Sequence, residues 1–180
     1  YIEVFRGTPM MVQAVFIYHA FRTTLNWTPL VAGIVIVSIN TGAYMAEIVR
    51  AGIQAVDGGQ SEAARSLGMS SGQTMLLVVI PQAIKNAFPA LGNELIVNIK
   101  DSSVLNVISV TELFFQSNSI AGTVFKYKET FLVTAAIYLT LTLLCSRILG
   151  YVEHKINNNK SSYPMSDTSV ANQNLEAKEL

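Results

Sequence analysis

Asp57-Gly58-Gly59-Gln60-Ser61-Glu62-Ala63-Ala64-Arg65-Ser66-Leu67-Gly68-Met69 is a short stretch of polar and small residues set between two long apolar runs. Its pattern predicts a helix. Asp57 followed three residues later by Gln60 fits a capping box, and Glu62 to Leu67 are mostly good helix formers. Gly68 is placed to end the helix in a left-handed conformation, after about two to three turns. Small side chains at Ala63, Ala64 and Gly68 let a second protein approach the backbone closely, while Leu67 and Met69 offer apolar anchors. The same pattern suits an ordinary solvated turn between helices, and taken alone it leaves both readings open.

The flanks show what kind of chain carries this loop. Of the 180 residues, 51% are hydrophobic and 13% charged, with a mean hydropathy of +0.39. A soluble domain carries about 25% charged residues, so a chain this poor in charge, with apolar runs near bilayer length, is predicted to be an all-α membrane protein. Twelve basic and twelve acidic residues cancel, which implies no polyanion partner and excludes nucleic acid as an expected ligand. The lone Cys145 cannot pair within the chain, and no Cys/His spacing suggests a metal site. His19 and His154 are far apart and read as interfacial or solvated side chains. The sequence opens at Tyr1 with no charged segment before an apolar one, so no signal peptide is visible. We expect an N-terminal truncation that has removed at least one spanning helix.

Reading outward from the loop predicts spans over residues 4–22, 29–49, 72–99 and 131–150. The first reaches bilayer length only if it starts near Val4, with Thr8-Pro9 as an internal kink or as the true start. Thr28-Pro29 opens the second well, since proline at the first helical position loses no hydrogen bond. The third is interrupted by Pro81, Pro89 and Gly92, and its second half carries Gln82, Lys85, Asn86, Asn93, Glu94 and Asn98. Such polarity at membrane depth has to face protein or a water-filled path. Ser102 to Gln116 is too short to span and reads as a helical hairpin or re-entrant piece. Residues 1–156 form the permease-like domain of this reading, and 157–180, rich in Asn, Ser, Asp, Lys and Glu, is expected to be a disordered cytoplasmic tail. With the loop inside the cell, Arg6, Arg50, Arg65, Arg147, Lys155 and Lys160 lie inside and Arg22, Lys126 and Lys128 outside, in keeping with the positive-inside rule.

The order of residues after the loop resembles a known family. Glu62-Ala63-Ala64, three residues, Gly68, nine residues, Val78, one residue and Ile80-Pro81 is similar to the EAA loop of bacterial ABC importer permeases, the segment that fits a groove on the ATP-hydrolysing subunit. Phe5-Arg6-Gly7-Thr8-Pro9 with Val12-Gln13, then Asn40 through Glu47, then Pro81-Gln82-Ala83 and Pro89 through Glu94, ending in Lys100-Asp101-Ser102-Ser103, look like the polar amino acid permeases, whose members carry His, Glu, Gln, Arg or opines. Asp57 stands where that family often has proline and Gly58 where a basic residue is common, departures that bear on the stiffness of the loop.

The resemblance implies the type I permease fold, with a five-helix core and a cytoplasmic coupling helix, here without its first spanning helix. It implies a multi-pass protein of the bacterial inner or plasma membrane with its C-terminus in the cytoplasm. The implied partners are cytosolic ATP-binding cassette subunits, a second permease (identical or related), an extracytoplasmic solute-binding protein and membrane lipid. ATP and Mg would then sit on the partner ATPase and no cofactor in this chain. Glu62, Ala63, Ala64, Leu67 and Gly68 are the expected coupling residues.

For the substrate path the candidates are Glu94, Asn98, Lys100 and Asp101. Glu94 and Asn98 are four apart and share a helix face. Lys100 could meet an α-carboxylate, and Glu94 or Asp101 an ammonium or a basic side chain. Two other readings stand beside these: Lys100-Asp101 as an interfacial ion pair, and Glu94 as a gating residue. Gly42, Ala43 and Ala46 give a small-residue face for helix packing. Tyr44 and Glu47 either line the path or, for Glu47, pair with Arg50. Arg6 anchors a helix end at the cytosolic interface, bonds the loop region, or only sets topology. No Ser/His/Asp set, metal spacing or phosphate-cradling glycine loop occurs, so no catalytic site is expected. The leading expectation is a permease subunit of an ATP-driven bacterial amino acid importer. An ion-gradient-driven secondary transporter or channel, or a non-transporting structural subunit, would lack the need for a docking helix.

Overall fold

The computed structural model describes residues 1–158; the tail of the sequence from 159 onward, with Lys160, lies outside the described residues. Helices account for the architecture in the order α1 (Ile2–Gly7), α2 (Met10–Leu25), α3 (Pro29–Gln54), α4 (Gly58–Ser66), α5 (Ser71–Thr74), a π-helical turn (Met75–Val79), α6 (Ile80–Asp101), a 3-10 segment (Ser102–Ile108), α7 (Leu113–Val124) and α8 (Tyr127–Asn158). Among the described residues three stretches are long and apolar enough to cross a membrane: Pro29–Gln54, Ser71–Ile108 and Tyr127–Ile156.

The expected first span, 4–22, is two helices. Pro9 has no N–H to give and sits in extended conformation (φ −63°, ψ 135°), so the chain breaks after Gly7 and restarts at Met10. Gln13 repairs the break. Its Nε2 donates to Phe5 O at 2.8 Å, Thr8 O at 2.9 Å and Thr8 Oγ1 at 2.8 Å, meeting carbonyls that a continuous helix would have satisfied.

Thr28 caps α3 as its sequence suggests, accepting from the Val31 N–H ahead of Pro29. The helix runs past the expected residue 49 to Gln54, because nothing between Arg50 and Gln54 breaks it and Gly52 lies against α6. A Cβ at Gly52 would meet Ala83 O at 2.8 Å and Ala87 Cβ at 2.9 Å. That close approach, together with the bond from Thr41 Oγ1 to Asn98 Oδ1 at 2.9 Å, sets α3 and α6 antiparallel. The small-residue face expected at Gly42, Ala43 and Ala46 is used only in part: Ala43 is buried, Gly42 faces Tyr1, and Ala46 is exposed.

The third expected span starts at a capping box, but one built by Ser70 and Gln73, and it continues to Asp101 through both prolines. The π turn explains how Pro81 is accommodated. It widens the helix by a residue just before the proline, with the Ile80 N–H reaching back to Met75 O, while Gln82 Nε2 donates to Val78 O at 3.0 Å.

Ser102 to Gln116 is a hairpin-like return, as expected. Ser109 turns the chain in the left-handed region (φ 64°), and α7 then runs on to Val124. Glu112 caps α7, its carboxylate accepting from Phe114 N at 2.7 Å and Phe115 N at 2.6 Å. It also accepts from Tyr138 Oη on α8 at 3.1 Å, so one side chain ties the hairpin to the last helix. A buried hydroxyl pair, Thr134 Oγ1 donating to Ser117 Oγ at 2.6 Å, adds a second tie. The best-formed core lies between α2, α3 and the 3-10 segment, around Ala14, Tyr18, Ala32, Ile36, Leu105, Ile108 and Val110. By contrast α8 shows most of its apolar side chains outward, among them Leu139, Leu143, Leu144 and Ile148. In water such a surface would aggregate; within a bilayer it can face lipid.

Candidate functional site

The α1–α2 break, the middle of α3 and the C-terminal third of α6 enclose a cavity of about 460 Å³, within the usual range for small-ligand sites. Arg6, Gly7, Thr8, Pro9 and Met10 line one side, Asn40 and Tyr44 the floor from α3, and Glu94, Val97 and Asp101 the α6 wall. Because Pro9 ends one helix before the next begins, residues 6–10 can present side chains and backbone here where a straight helix would present one face. The break is held from behind: Asn40 Nδ2 donates to Gln13 Oε1 at 3.0 Å.

Charge in the cavity is mixed. Arg6 lies over the Tyr44 ring, its guanidinium carbon 5.4 Å from the centroid, and its Nη1 is 3.7 Å from Glu47 Oε2. That is an ion pair too long for a hydrogen bond. Glu47 is held more firmly by Arg50, which donates from Nε at 3.0 Å and from Nη2. Glu94 is half-buried and Asp101 exposed, two turns apart on one helix face, and among the described residues neither has a cation within ion-pair distance.

Of the four substrate-path candidates, Glu94 and Asp101 line the cavity; Asn98 and Lys100 do not. Asn98 is committed to Thr41, and Lys100 is exposed on another side of the helix end. Tyr44 lines the cavity, whereas Glu47 sits behind Arg6 and pairs with Arg50. Arg6 and Asn40 are among the lining residues that sequence reasoning did not place there. The signal available was the proline break next to a lone arginine, in a segment otherwise destined for membrane depth.

The segment expected to couple forms as a nine-residue helix, α4, capped by Asp57. The cap is simpler than the expected box: the Asp57 carboxylate accepts from the Gly59 N–H at 3.0 Å, and Gln60 contributes its backbone, not its side chain, by donating from N to Asp57 O. At the other end Gly68 adopts φ +86°. Gly68 N donates to Arg65 O at 2.9 Å and Met69 N to Ala64 O at 3.2 Å, the paired bonds of a Schellman cap. Ala64 is buried under the helix, which rests on the π turn, while Glu62, Ala63, Leu67 and Gly68 face outward; Leu67 is 85% exposed. Leu67 is thus a large apolar side chain held outward on a helix closed at both ends. Among the described residues no three His, Cys, Asp or Glu side chains come together as a metal site.

The family profile of binding-protein-dependent transport system inner membrane components matches residues 1–158. The chain belongs to this family. Among characterised relatives of this inner membrane component, the glutamine transport system permease protein GlnP of Escherichia coli (strain K12) is 40% identical over 159 residues, covering 87% of this chain and 73% of that protein. The arginine transport system permease protein ArtQ of Bacillus subtilis (strain 168) is 37% identical over 161 residues, covering 88% and 74%. A crystal structure described as an amino acid ABC transporter with histidines superposes with a TM-score of 0.81 at 48% identity, covering 86% of this chain and 73% of that one. The all-α ABC permease fold expected from the sequence is therefore the fold of this inner membrane component, and the alternative of an ion-gradient-driven transporter or channel finds no support.

Proposed function

We propose that this chain is the transmembrane permease subunit of an ATP-driven bacterial amino acid importer, with the cavity as a station on the translocation path. The observation that carries the reading is a family member's chain enclosing a mixed-charge cavity at the middle of α3. A free amino acid brings a carboxylate and an ammonium together, and the cavity offers Arg6 for the first and Glu94 or Asp101 for the second. Relatives named for glutamine and arginine transport support an amino acid as cargo.

Energy enters through 57–69 in this reading. Cytosolic ATP-binding cassette subunits, which carry ATP and Mg, grip Leu67 and the exposed side of α4, and closure of the ATPase pair moves α4 together with the helices on either side. A second permease, a copy or a relative, completes the path, and an extracytoplasmic solute-binding protein delivers the cargo. The chain then lies in the cell membrane with α4 and the C-terminus in the cytoplasm. The test is uptake of labelled amino acids into proteoliposomes holding the complete complex, with ATP inside and with ATP omitted. Uptake strictly dependent on ATP is expected, and Gly68→Asp should insert in the membrane yet hydrolyse ATP without moving cargo. Normal uptake by that variant would show that the loop does not transmit the work.

A further inference from the structure

We propose that the groove between α7 and α8 is a phospholipid site, with one acyl chain laid along α8 and a phosphoethanolamine headgroup held between Lys126 and Glu129. The groove encloses about 400 Å³, and its apolar walls are Ile120 and Val124 of α7 and Val133 and Ile137 of α8. These four side chains are between 40% and 59% exposed. A second hollow of about 320 Å³ continues it along α8 to Leu141, sharing Val133 and Ile137. Where α7 and α8 meet under the groove, the buried hydroxyls have no proton left for a ligand. Ser117 Oγ donates to Leu113 O at 2.7 Å and Thr134 Oγ1 to Ser117 Oγ at 2.6 Å, so both are spent inside the protein. A concave apolar strip of this kind fits hydrocarbon.

Length and charge narrow the occupant. From Glu129 to Leu141 the groove follows α8 for twelve positions. That is roughly 18 Å at the helical rise, against about 15 Å for half of a bilayer's hydrocarbon core. Helix α8 runs antiparallel to α6, since Leu149 lies on Gly92 while Cys145 shares a hollow with Ile99. Its first turn is therefore at the end of the molecule away from α4, and one chain of a lipid in that leaflet reaches from the surface to the bilayer centre. At the surface end the lining turns charged, with Lys126 and Glu129 three positions apart at the α7–α8 turn. Both are exposed, and among the described residues neither is in an ion pair. A cation and an anion left apart on one rim are complementary to a headgroup that carries phosphate and ammonium together. Phosphatidylethanolamine brings both, with N–H donors for Glu129. Phosphatidylcholine keeps the charge but has no N–H, and phosphatidylglycerol sets its phosphate beside Glu129 with no cation between them.

The test is native mass spectrometry of the detergent-purified permease–ATPase complex after exchange against equal amounts of phosphatidylethanolamine, phosphatidylcholine and phosphatidylglycerol with the same acyl chains. In parallel, phosphatidylethanolamine carrying a photoreactive group at the end of one chain is crosslinked to the complex in nanodiscs. Retention of the ethanolamine lipid about fivefold above the glycerol lipid is expected, the size of one interfacial ion pair, with the choline lipid between them. The photolabel is expected around Leu141. Glu129→Gln should abolish the preference while a lipid stays bound, and Lys126→Gln should weaken all three. Val133→Trp fills the groove and should expel the retained lipid; Leu139→Trp, outward on α8 and off the groove, should not. Equal retention of the three lipids, or a preference that survives Glu129→Gln, would overturn the headgroup assignment. A photolabel spread along α8, or missing from the groove because a second copy or another helix covers it, would overturn the site itself. That label is read in the unaltered protein, so a variant that fails to fold does not leave the question open.

Discussion

Asn40, in the middle of α3, donates its side-chain amide to Gln13 on α2 at 3.0 Å, and both side chains are more than nine-tenths buried. Through Gln13 the bond reaches the carbonyls of Phe5 and Thr8. One amide pair thus fixes the proline break that forms a wall of the cavity.

Breaking that pair is predicted to be costly and coupled. Asn40→Leu strands the Gln13 carbonyl oxygen away from water, and Gln13→Leu strands two backbone carbonyls, each for about 1–3 kcal/mol. Thermal unfolding of the purified complex should show the double variant losing less than the sum of the two, with a coupling of about 0.5–3 kcal/mol. Strictly additive losses would show that the amides act independently.

Gly52 is predicted to accept no side chain. Its missing Cβ would sit 2.8 Å from a backbone oxygen, Ala83 O, which cannot swing away as a flexible side chain can. Gly52→Ala should cost about 1–3 kcal/mol as overpacking. Ala87→Gly in the same chain removes the neighbouring Cβ contact but not the oxygen, so it should restore only a minor part of the lost melting temperature; full rescue would place the clash at Ala87 alone.

Leu67 is predicted to bind the ATPase without stabilising the permease. Exposed as it is, Leu67→Asp should leave the melting temperature of the isolated permease unchanged while the ATPase subunit fails to co-purify with it. Gly68→Asn serves as the companion, since asparagine visits the left-handed region at little cost and should retain the cap and the association. An ATPase that still co-purifies with Leu67→Asp would move the docking contact elsewhere.

Glu112 is predicted to hold the hairpin against α8. Glu112→Ala removes an N-cap, worth about 0.5–2 kcal/mol, and leaves Tyr138 without its acceptor. Tyr138→Phe should cost less, because the cap bonds to Phe114 and Phe115 remain. Hydrogen exchange of the α7 amides separates the two: faster exchange in Glu112→Ala alone is expected, and equal effects would mean the tie to α8, not the cap, holds α7 in place.

Much of the fold was legible because it is written locally. Thr28-Pro29 at the start of α3 and Gly68 at the end of α4 act through bonds within a few residues, and both formed as their sequence dictates. The apolar runs gave the long helices for the same reason, since a bilayer-length stretch needs only its own composition. The capping box moved from Asp57 to Ser70 because both segments satisfy the pattern, and the local choice between them turns on hydrogen-bond geometry that residue types do not encode.

The cavity was half legible. Glu94 and Asp101 share a helix face by period alone, which a sequence shows. Asn98 has nearly the same face, yet Thr41 of α3 takes it, and that depends on how deep α3 and α6 interlock at Gly52. Arg6 comes to the site because Pro9 breaks the chain and α1 lies along α3, bringing it beside Tyr44 and Glu47. By itself, then, the sequence determined that this chain is helical, membrane-adapted and punctuated by a compact capped loop, since those properties follow from composition, period and caps. Only the tertiary structure decided which charges meet, because an ion pair or a cavity between segments distant in sequence is set by helix packing and register.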